Sequence, residues 1–226
     1  MDIFLYGSGH LTCSTALAIA KGLVRGAISS DVRNKIDQSA SYVSKIVGRG
    51  EVVYGINTGF GPLCTTRIDA GQTQLLQENI LKSHAVGVGE PISDDLAKLM
   101  LILKVHALSK GFSGVQYSTI ERMIWHIEND IIPVVPKQGS VGASGDLAPL
   151  SHLFLPLIGL GKVKVEGNVV HTAAILEKYG MAPIHLGAKE GLALINGTQF
   201  MAAHGVMGVI ELNRMLQNAD IIASLM

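Results

Sequence analysis

The sequence predicts a mainly α-helical bundle that carries one small β-hairpin. Three observations support this class. Apolar residues recur at helical spacing through most of the 226 residues, and one pair of short β-branched runs flanks a glycine turn. Charged residues make up only 16% of the chain against 48% hydrophobic residues, which indicates burial against other chains or further segments.

The helical segments have recognisable boundary residues. Helices are predicted at residues 11–24, 30–47, 69–82, 93–110, 115–129 and 147–160. Thr12 and either Ser29 or Ser30 are the expected N-caps of the first two helices. Pro133 and Pro136 stop the helix at 115–129, because proline lacks the N–H that a helix interior needs.

The last third of the chain contains the hairpin and a long helix. The hairpin is predicted at residues 162–172, with a turn of Glu166, Gly167 and Asn168, and it is the only convincing strand pair. Residues 199–226 are predicted to be a helix that is too long and apolar for an isolated surface helix. Because no Gly, Asn or Pro terminates it, we expect the chain to stop in mid-helix and this helix to belong to a multi-chain bundle.

The composition excludes several classes of partner. With 18 basic and 18 acidic residues, the chain has no basic footprint for nucleic acid or an anionic membrane. It shows neither the roughly 20 uninterrupted apolar residues of a spanning helix nor a signal-peptide pattern. The histidines lack paired ligand spacing, so no metal is expected. We therefore expect a cytoplasmic protein that binds a small molecule or another protein, with no nucleic acid and no membrane.

The most informative segment is residues 136–152, P-K-Q-G-S-V-G-A-S-G-D-L-A-P-L-S-H. Three glycines at three-residue spacing form the loop 139–146, and a helix opens near Asp146. The spacing fits no phosphate-binding loop, and Asp146 stands where a nucleophile elbow needs its last glycine. From these residues alone, a purely structural loop before a capped helix stays an alternative.

Four blocks together resemble the aromatic amino-acid ammonia-lyase and aminomutase family. They are residues 54–61 (Y-G-I-N-T-G-F-G), 83–89 (S-H-A-V-G-V-G), 142–152 (G-A-S-G-D-L-A-P-L-S-H) and 196–199 (N-G-T-Q). Their order and spacing are similar to those of the family's N-terminal part over most of the chain. The resemblance implies the lyase-type helical bundle, with residues 1–226 as its N-terminal part, the C-terminal half absent, and a homotetramer in the full-length enzyme.

The resemblance also implies an electrophile built from the backbone. In the family an Ala-Ser-Gly tripeptide, here Ala143, Ser144 and Gly145, cyclises with loss of two waters to 4-methylidene-imidazol-5-one. Glycine offers an unhindered nitrogen for the attack on the alanine carbonyl, and loss of the serine hydroxyl creates the methylidene. The substrate then adds covalently to this group, and a base removes its β-proton.

Further roles follow from the resemblance for Tyr54, His84 and Asn196. Tyr54 matches the family's base, and a free tyrosine has a pKa of about 10, so its site must favour the phenolate. Asn196 would donate to the prosthetic group or the substrate. Family members that act on histidine carry a Ser-His pair at the positions of Ser83 and His84. The resemblance therefore implies L-histidine as substrate and trans-urocanate and ammonia as products. A core aromatic, a structural histidine and an Asn-Gly turn are the alternatives for the three residues.

Several functions stay open at this stage. They are a phenylalanine or tyrosine lyase or an aminomutase of the same family, a catalytically silent interaction module, and a serine hydrolase that uses Ser144 without a nucleophile elbow. Family members supply an arginine, a second tyrosine and a glutamate from their C-terminal half, and several subunits build each site. We therefore expect this chain to be incomplete as an enzyme when alone.

Overall fold

The computed structural model describes residues 1–50, 52–59, 70–140 and 145–225, and this part of the chain is mainly α-helical. The helices are α1 (Cys13–Ala20), α2 (Ser30–Arg49), α3 (Ala70–His84), α4 (Asp94–Leu108), α5 (Tyr117–Glu128), α6 (Leu147–Phe154), α7 (Thr172–Lys178), α8 (Glu190–Ile195) and α9 (Gln199–Ser224). The strands are β1 (Asp2–Leu5), β2 (Val24–Ala27), β3 (Val88–Pro91), β4 (Ile132–Pro133), β5 (Pro136–Gln138), β6 (Lys162–Val165) and β7 (Asn168–His171). The predicted fold class is confirmed, although residues 60, 61, 69, 141–144 and 226, on which parts of the predictions fall, lie outside the described residues.

Helix α4 forms the centre of the core, and it packs against α1, α5 and α9. The Ser93 hydroxyl caps it by accepting the N–H of Leu96 at 3.3 Å. Its apolar residues at the core are at most 1% exposed: Leu99, Met100, Leu101, Ile102 and Val105. A helix that is apolar on most faces is stable only when other elements surround it, which explains its central position.

The N-caps of the first two helices agree with the sequence prediction. Thr12 Oγ1 accepts the N–H of Thr15 at 3.1 Å, and Ser29 Oγ accepts the N–H of Val32 at 3.3 Å. Each bond satisfies one of the free N–H groups at a helix start. The local sequence was therefore sufficient to place both helix starts.

The end of α1 was predicted wrongly. The helix stops at Ala20, and Gly22 follows with φ +69°, the left-handed conformation that turns the chain out of a helix. Residues 24–27 instead form β2, which pairs in parallel with β1 from Asp2↔Val24 to Leu5↔Ala27. Since β1 satisfies the main-chain groups of these residues, the helix does not continue to residue 24.

The predicted hairpin is confirmed, but it is not the only strand pair. β6 and β7 are antiparallel, and the turn consists of Glu166 (φ 49°) and Gly167 (φ 82°), while Asn168 already belongs to β7. β4 extends this sheet along β6, and β3 pairs with β5. Strands of two to four residues that pair with distant segments leave no readable periodicity, so the expectation of a single pair was wrong.

The core helix predicted at residues 147–160 consists of two parts. Helix α6 ends at Phe154, and residues Leu155–Ile158 continue as a 3-10 helix. Pro156 lacks the N–H that an α-helix would need at this position, which explains the change. Leu150, Leu153 and Phe154 are at most 1% exposed, so the segment lies in the core as expected.

Helix α9 spans 26 residues and packs on α4 and α1, yet only Ala203 is buried on it. Many of its apolar side chains are exposed: Met201, Val209, Leu212, Met215, Leu216, Ile221 and Ile222. Its place in a multi-chain bundle stays a prediction. No helix in the described part of the chain is both long and apolar enough to cross a membrane.

The buried His126 of α5 predicts a defined acid sensitivity. Its Nδ1–H donates to the carbonyl of Ile131 at 2.9 Å, and burial lowers its pKa to about 4, against 6.5 for a free histidine. The neutral ring therefore stabilises the fold fully above about pH 6.5, and this contribution is lost as the pH falls towards the folded pKa. His126→Asn keeps a donor at the same position and does not titrate. Between pH 7 and pH 5 it should lose about 2 kcal/mol less stability than the wild type in urea unfolding.

The matched control is His171→Asn, since His171 is exposed. This variant should show the same pH dependence as the wild type. Equal losses of stability in His126→Asn and the wild type would contradict the assignment.

Candidate active site

The described end of the Ala-Ser-Gly tripeptide lies against the Asn-Gly block. Ala143 and Ser144 lie outside the described residues, whereas Gly145 forms a parallel bridge with Gly197. The N–H of Asp146 donates to the carbonyl of Gly197 at 2.7 Å. The structure thus brings together two sequence blocks that are about fifty residues apart in the chain.

This contact requires glycine at position 145. Its φ of +98° is unfavourable for residues with a Cβ, and a Cβ there would lie 2.2 Å from the carbonyl oxygen of Gly197. The backbone therefore carries no side chain at this point. This agrees with the unhindered glycine nitrogen that the predicted cyclisation requires.

Asp146 connects the loop to the start of α9. Its side chain is 2% exposed. Oδ1 accepts the hydroxyl of Ser140 at 2.7 Å, and Oδ2 accepts the N–H of Met201 at 3.0 Å. Met201 lies in the first turn of α9, where free N–H groups and the helix dipole favour a carboxylate. The sequence placed Asp146 at the N-cap of α6, and the position is right, but the side chain caps α9 instead.

Asn196 ends α8, and its main chain is held from the core. Its N–H donates to Leu192 at 2.9 Å, and its carbonyl accepts a hydrogen bond from Nζ of Lys104 at 2.9 Å. Lys104 is 2% exposed, and burial lowers its pKa to about 7. Sequence reasoning missed this residue, although a lysine inside the run L-M-L-I-L-K-V of a core helix is a readable signal.

His84 is the last residue of α3 and is partly buried. Its Nδ1 lies 2.9 Å from the carbonyl of Ile80 and 3.0 Å from the hydroxyl of Ser83. A carbonyl can only accept, so Nδ1 carries a proton, and in the neutral ring Nε2 is then the acceptor. This tautomer determines what kind of group His84 can bind.

The segment after His84 is tied to α6. The N–H of Gly87 donates to Nε2 of His152 at 3.0 Å, and burial lowers the pKa of His152, which favours the neutral ring that this bond needs. β3 continues from this segment and pairs with β5, which precedes the tripeptide loop. Through His152, the block that contains His84 is therefore held to the helix that follows the tripeptide.

Tyr54 lies on a turn beside α8, and its side chain is 58% exposed. The adjacent Gly55 has φ +76°, and a Cβ there would lie 2.6 Å from Cδ2 of Leu192. Asn57 Oδ1 accepts the N–H of Val53 at 2.9 Å and closes the turn. The block therefore contacts the helix that leads to Asn196. A single pocket formed by Tyr54, His84, Asn196 and the tripeptide stays a prediction.

The described side chains include no group of three or more His, Cys, Asp or Glu residues that could hold a metal ion. What the contacts do bring together is a bare backbone at Gly145 and a fixed amide-bearing turn at Asn196, while His84 lies in a block that His152 holds to α6. Such groups are suited to chemistry on a polar organic substrate, with hydrogen bonds that orient it.

Comparison with known proteins identifies similar chains. A profile of the aromatic amino acid lyase family matches residues 11–226. Histidine ammonia-lyases from Symbiobacterium thermophilum and Shouchella clausii are 44% and 47% identical over 96% and 95% of this chain, which is 43% of each relative. The chain thus spans less than half the length of these relatives.

Solved structures show the same similarity. Histidine ammonia-lyase from Trypanosoma cruzi superposes with a TM-score of 0.83 at 36% identity, over 93% of this chain and 40% of that one. Tyrosine aminomutase from Streptomyces globisporus superposes with a TM-score of 0.90 at 32% identity, over 98% of this chain and 41% of that one.

The contact of Gly145 with Gly197 predicts that Gly145→Ala destabilises the fold. The added Cβ meets a main-chain oxygen, and the left-handed φ disfavours alanine, so we expect a cost of about 1–3 kcal/mol or more in thermal unfolding. Gly48→Ala is the matched control, because Gly48 lies in the last turn of α2 with nothing within 4 Å of its added Cβ. This control should gain up to about 1 kcal/mol. A wild-type melting temperature for Gly145→Ala would contradict the close approach.

Proposed function

Because the chain belongs to the aromatic amino acid lyase family, we propose that it supplies the electrophile and base of an ammonia-lyase that converts L-histidine to trans-urocanate and ammonia. The proposal concerns the full-length protein, since the chain spans less than half of its curated relatives. One observation carries it: Gly145, the last residue of the tripeptide, lies directly against Gly197, the neighbour of Asn196.

The local backbone fits the prosthetic group that the tripeptide would form. Gly145 has no room for a Cβ, and the Asp146 N–H bond to Gly197 anchors the end of the loop. When present, 4-methylidene-imidazol-5-one made from Ala143, Ser144 and Gly145 would supply an electrophilic carbon, which no ordinary side chain provides. Ammonia is a poor leaving group, and such an electrophile answers that difficulty.

Two side chains, those of Tyr54 and Asn196, would act on the substrate around this group. Tyr54 would accept the β-proton, and it is more than half exposed, so a ligand or a neighbouring subunit can reach this part of the turn. Asn196 would donate its side-chain amide to negative charge that develops in the reaction. Tyr54 depends for its role on the turn next to α8, and Asn196 depends on the main chain at the end of α8.

His84 supports histidine as the substrate. With a proton on Nδ1 bonded to Ile80, Nε2 of the neutral ring can accept a hydrogen bond from an imidazole N–H. The similarity of the chain to histidine ammonia-lyases also supports histidine as the substrate. Tyrosine is the second candidate, because a phenol O–H could donate to the same nitrogen and the fold is similar to that of a tyrosine aminomutase. A phenylalanine ring offers no such donor.

The assembly and location of the full-length protein belong to the same proposal. The exposed apolar side chains of α9 support a homotetramer in which this helix packs against other subunits. The cytoplasmic location that was expected from the sequence stays part of this proposal. Size-exclusion chromatography with light scattering on the full-length protein would test the assembly.

Ser144→Ala in the full-length protein should abolish the electrophile. Without the β-hydroxyl no dehydration can produce the methylidene, so the mass of the intact chain should show no loss of two waters. Urocanate formation should fall by at least roughly a thousandfold. We would measure absorbance of urocanate, intact mass and melting temperature together.

Ser151→Ala is the matched control for this variant. Ser151 is fully buried in α6, and its hydroxyl donates to the carbonyl of Leu147 at 2.8 Å. Its loss should cost about 1 kcal/mol of stability and leave turnover unchanged. If Ser144→Ala behaved in the same way, Ser144 would be a structural residue and the proposed chemistry would be wrong.

His84→Phe should lower kcat/KM for L-histidine by about 30- to 150-fold, the equivalent of leaving one ring N–H unpaired at about 2–3 kcal/mol. His204→Phe is the control, because Nδ1 of His204 also bonds the carbonyl four residues earlier, at 2.9 Å from Phe200. It should leave kcat/KM unchanged. Equal values for His84→Phe and the wild type would remove His84 from the substrate site.

A further inference from the structure

Lys104 is a buried cation in the centre of the core. It is 2% exposed on α4, between apolar residues such as Leu101 and Val105 that are at most 1% exposed. Its Nζ donates to the main-chain carbonyl of Asn196 at 2.9 Å, across 92 residues of sequence. Within the ranges that the structure describes, no ion pair includes Lys104.

Burial of this amine works against stability. An ammonium removed from water without a counter-charge is costly, and burial accordingly lowers the pKa of Lys104 to about 7. A methionine could fill a similar volume without that cost, and replacement of buried ionic groups by apolar ones is often neutral or stabilising. The lysine is therefore explained by what it binds and not by the packing of its stem.

Its bond fixes one side of the turn at the candidate site. Lys104 holds the carbonyl of Asn196 from the core, while the N–H of Asp146 holds the next carbonyl, that of Gly197, at 2.7 Å from the loop. Gly145 bridges the same Gly197. Because two successive carbonyls have fixed partners, the peptide between them has little freedom to rotate, and the Cα that carries the Asn196 amide is fixed with it.

We propose that Lys104 is a positioning residue, which holds the Asn196 main chain so that its side-chain amide keeps its place beside the Gly145 end of the tripeptide. This inference rests on the proposed function. A lysine suits the task because it spans the distance from α4 to the end of α8. It also keeps N–H donors in both its charged and its neutral state, so the bond persists on either side of its lowered pKa.

The same helix offers a matched comparison. Lys98 also lies on α4, and its Nζ donates to a main-chain carbonyl, that of Ala20 at 3.1 Å, while it pairs with Asp130. This carbonyl belongs to the end of α1, away from Asn196. Lys98→Met and Lys104→Met therefore remove the same chemical group from the same helix, and only the second removes a bond to the site.

The two variants should separate stability from function in the full-length protein. Lys104→Met should melt at or above the wild-type temperature, while kcat per dehydrated chain falls by about 10- to 100-fold with a smaller change in KM. Amide exchange of peptides that contain Asp146 should become faster, because the acceptor carbonyl of Gly197 loosens. Lys98→Met should melt lower than the wild type and keep wild-type kcat and wild-type exchange at Asp146.

A second substitution tests the hydrogen bond itself. Lys104→Gln keeps an N–H donor on a shorter stem, so it should recover part of the kcat that Lys104→Met loses. The proposal is overturned if Lys104→Met keeps wild-type kcat and exchange, or if Lys104→Gln restores wild-type exchange at Asp146 without any recovery of kcat. It is also overturned if Lys104→Met fails to fold or melts well below the wild type, because Lys104 would then be a structural residue.

The wild-type protein in the same experiment separates this proposal from the proposed function. If the wild type shows neither dehydration of the tripeptide nor urocanate, the proposed function fails, and the positioning role fails with it. If the wild type is dehydrated and active while Lys104→Met is unaffected, only the role of Lys104 is wrong.

Discussion

The approach of Gly145 to Gly197 is the contact on which the other features of the candidate site depend. It brings the end of the tripeptide loop to the turn between α8 and α9, and both α6 and α9 begin within four residues of it. Asp146 then uses its main chain to bind Gly197 and its carboxylate to cap α9. A side chain at position 145 would separate these elements. The absence of a side chain there therefore determines how α6, α8 and α9 meet.

Three buried or partly buried polar side chains around this contact share one property: they bind main-chain atoms of other segments. Lys104 binds the carbonyl of Asn196, Asp146 binds the N–H of Met201, and His152 binds the N–H of Gly87. Each buried polar group has a cost unless it is satisfied, so its partner must be present for the fold to be stable. Core and site are thus coupled, because the bonds that satisfy the core also place the loops.

Two exposed surfaces relate this chain to the length of its relatives. The apolar side chains of α9 and the side chain of Tyr54 are largely exposed in the described residues, while the matched relatives are more than twice as long. Apolar surface of this extent on one helix is stable in water mainly when other elements cover it. The proposed activity therefore concerns the full-length protein, in which further residues could cover such surfaces.

The sequence by itself was sufficient for the helical class, the N-caps at Thr12 and Ser29, the hairpin and the four family blocks, because spacing, capping and turn chemistry act within a few neighbouring residues. Only the tertiary structure decided that residues 24–27 leave α1 for a parallel strand, that Asp146 caps α9, and that Lys104 holds Asn196. These outcomes join segments that are about 20 to 90 residues apart in the chain. Which distant donor meets which acceptor depends on how the helices pack, and packing leaves no local pattern in a sequence.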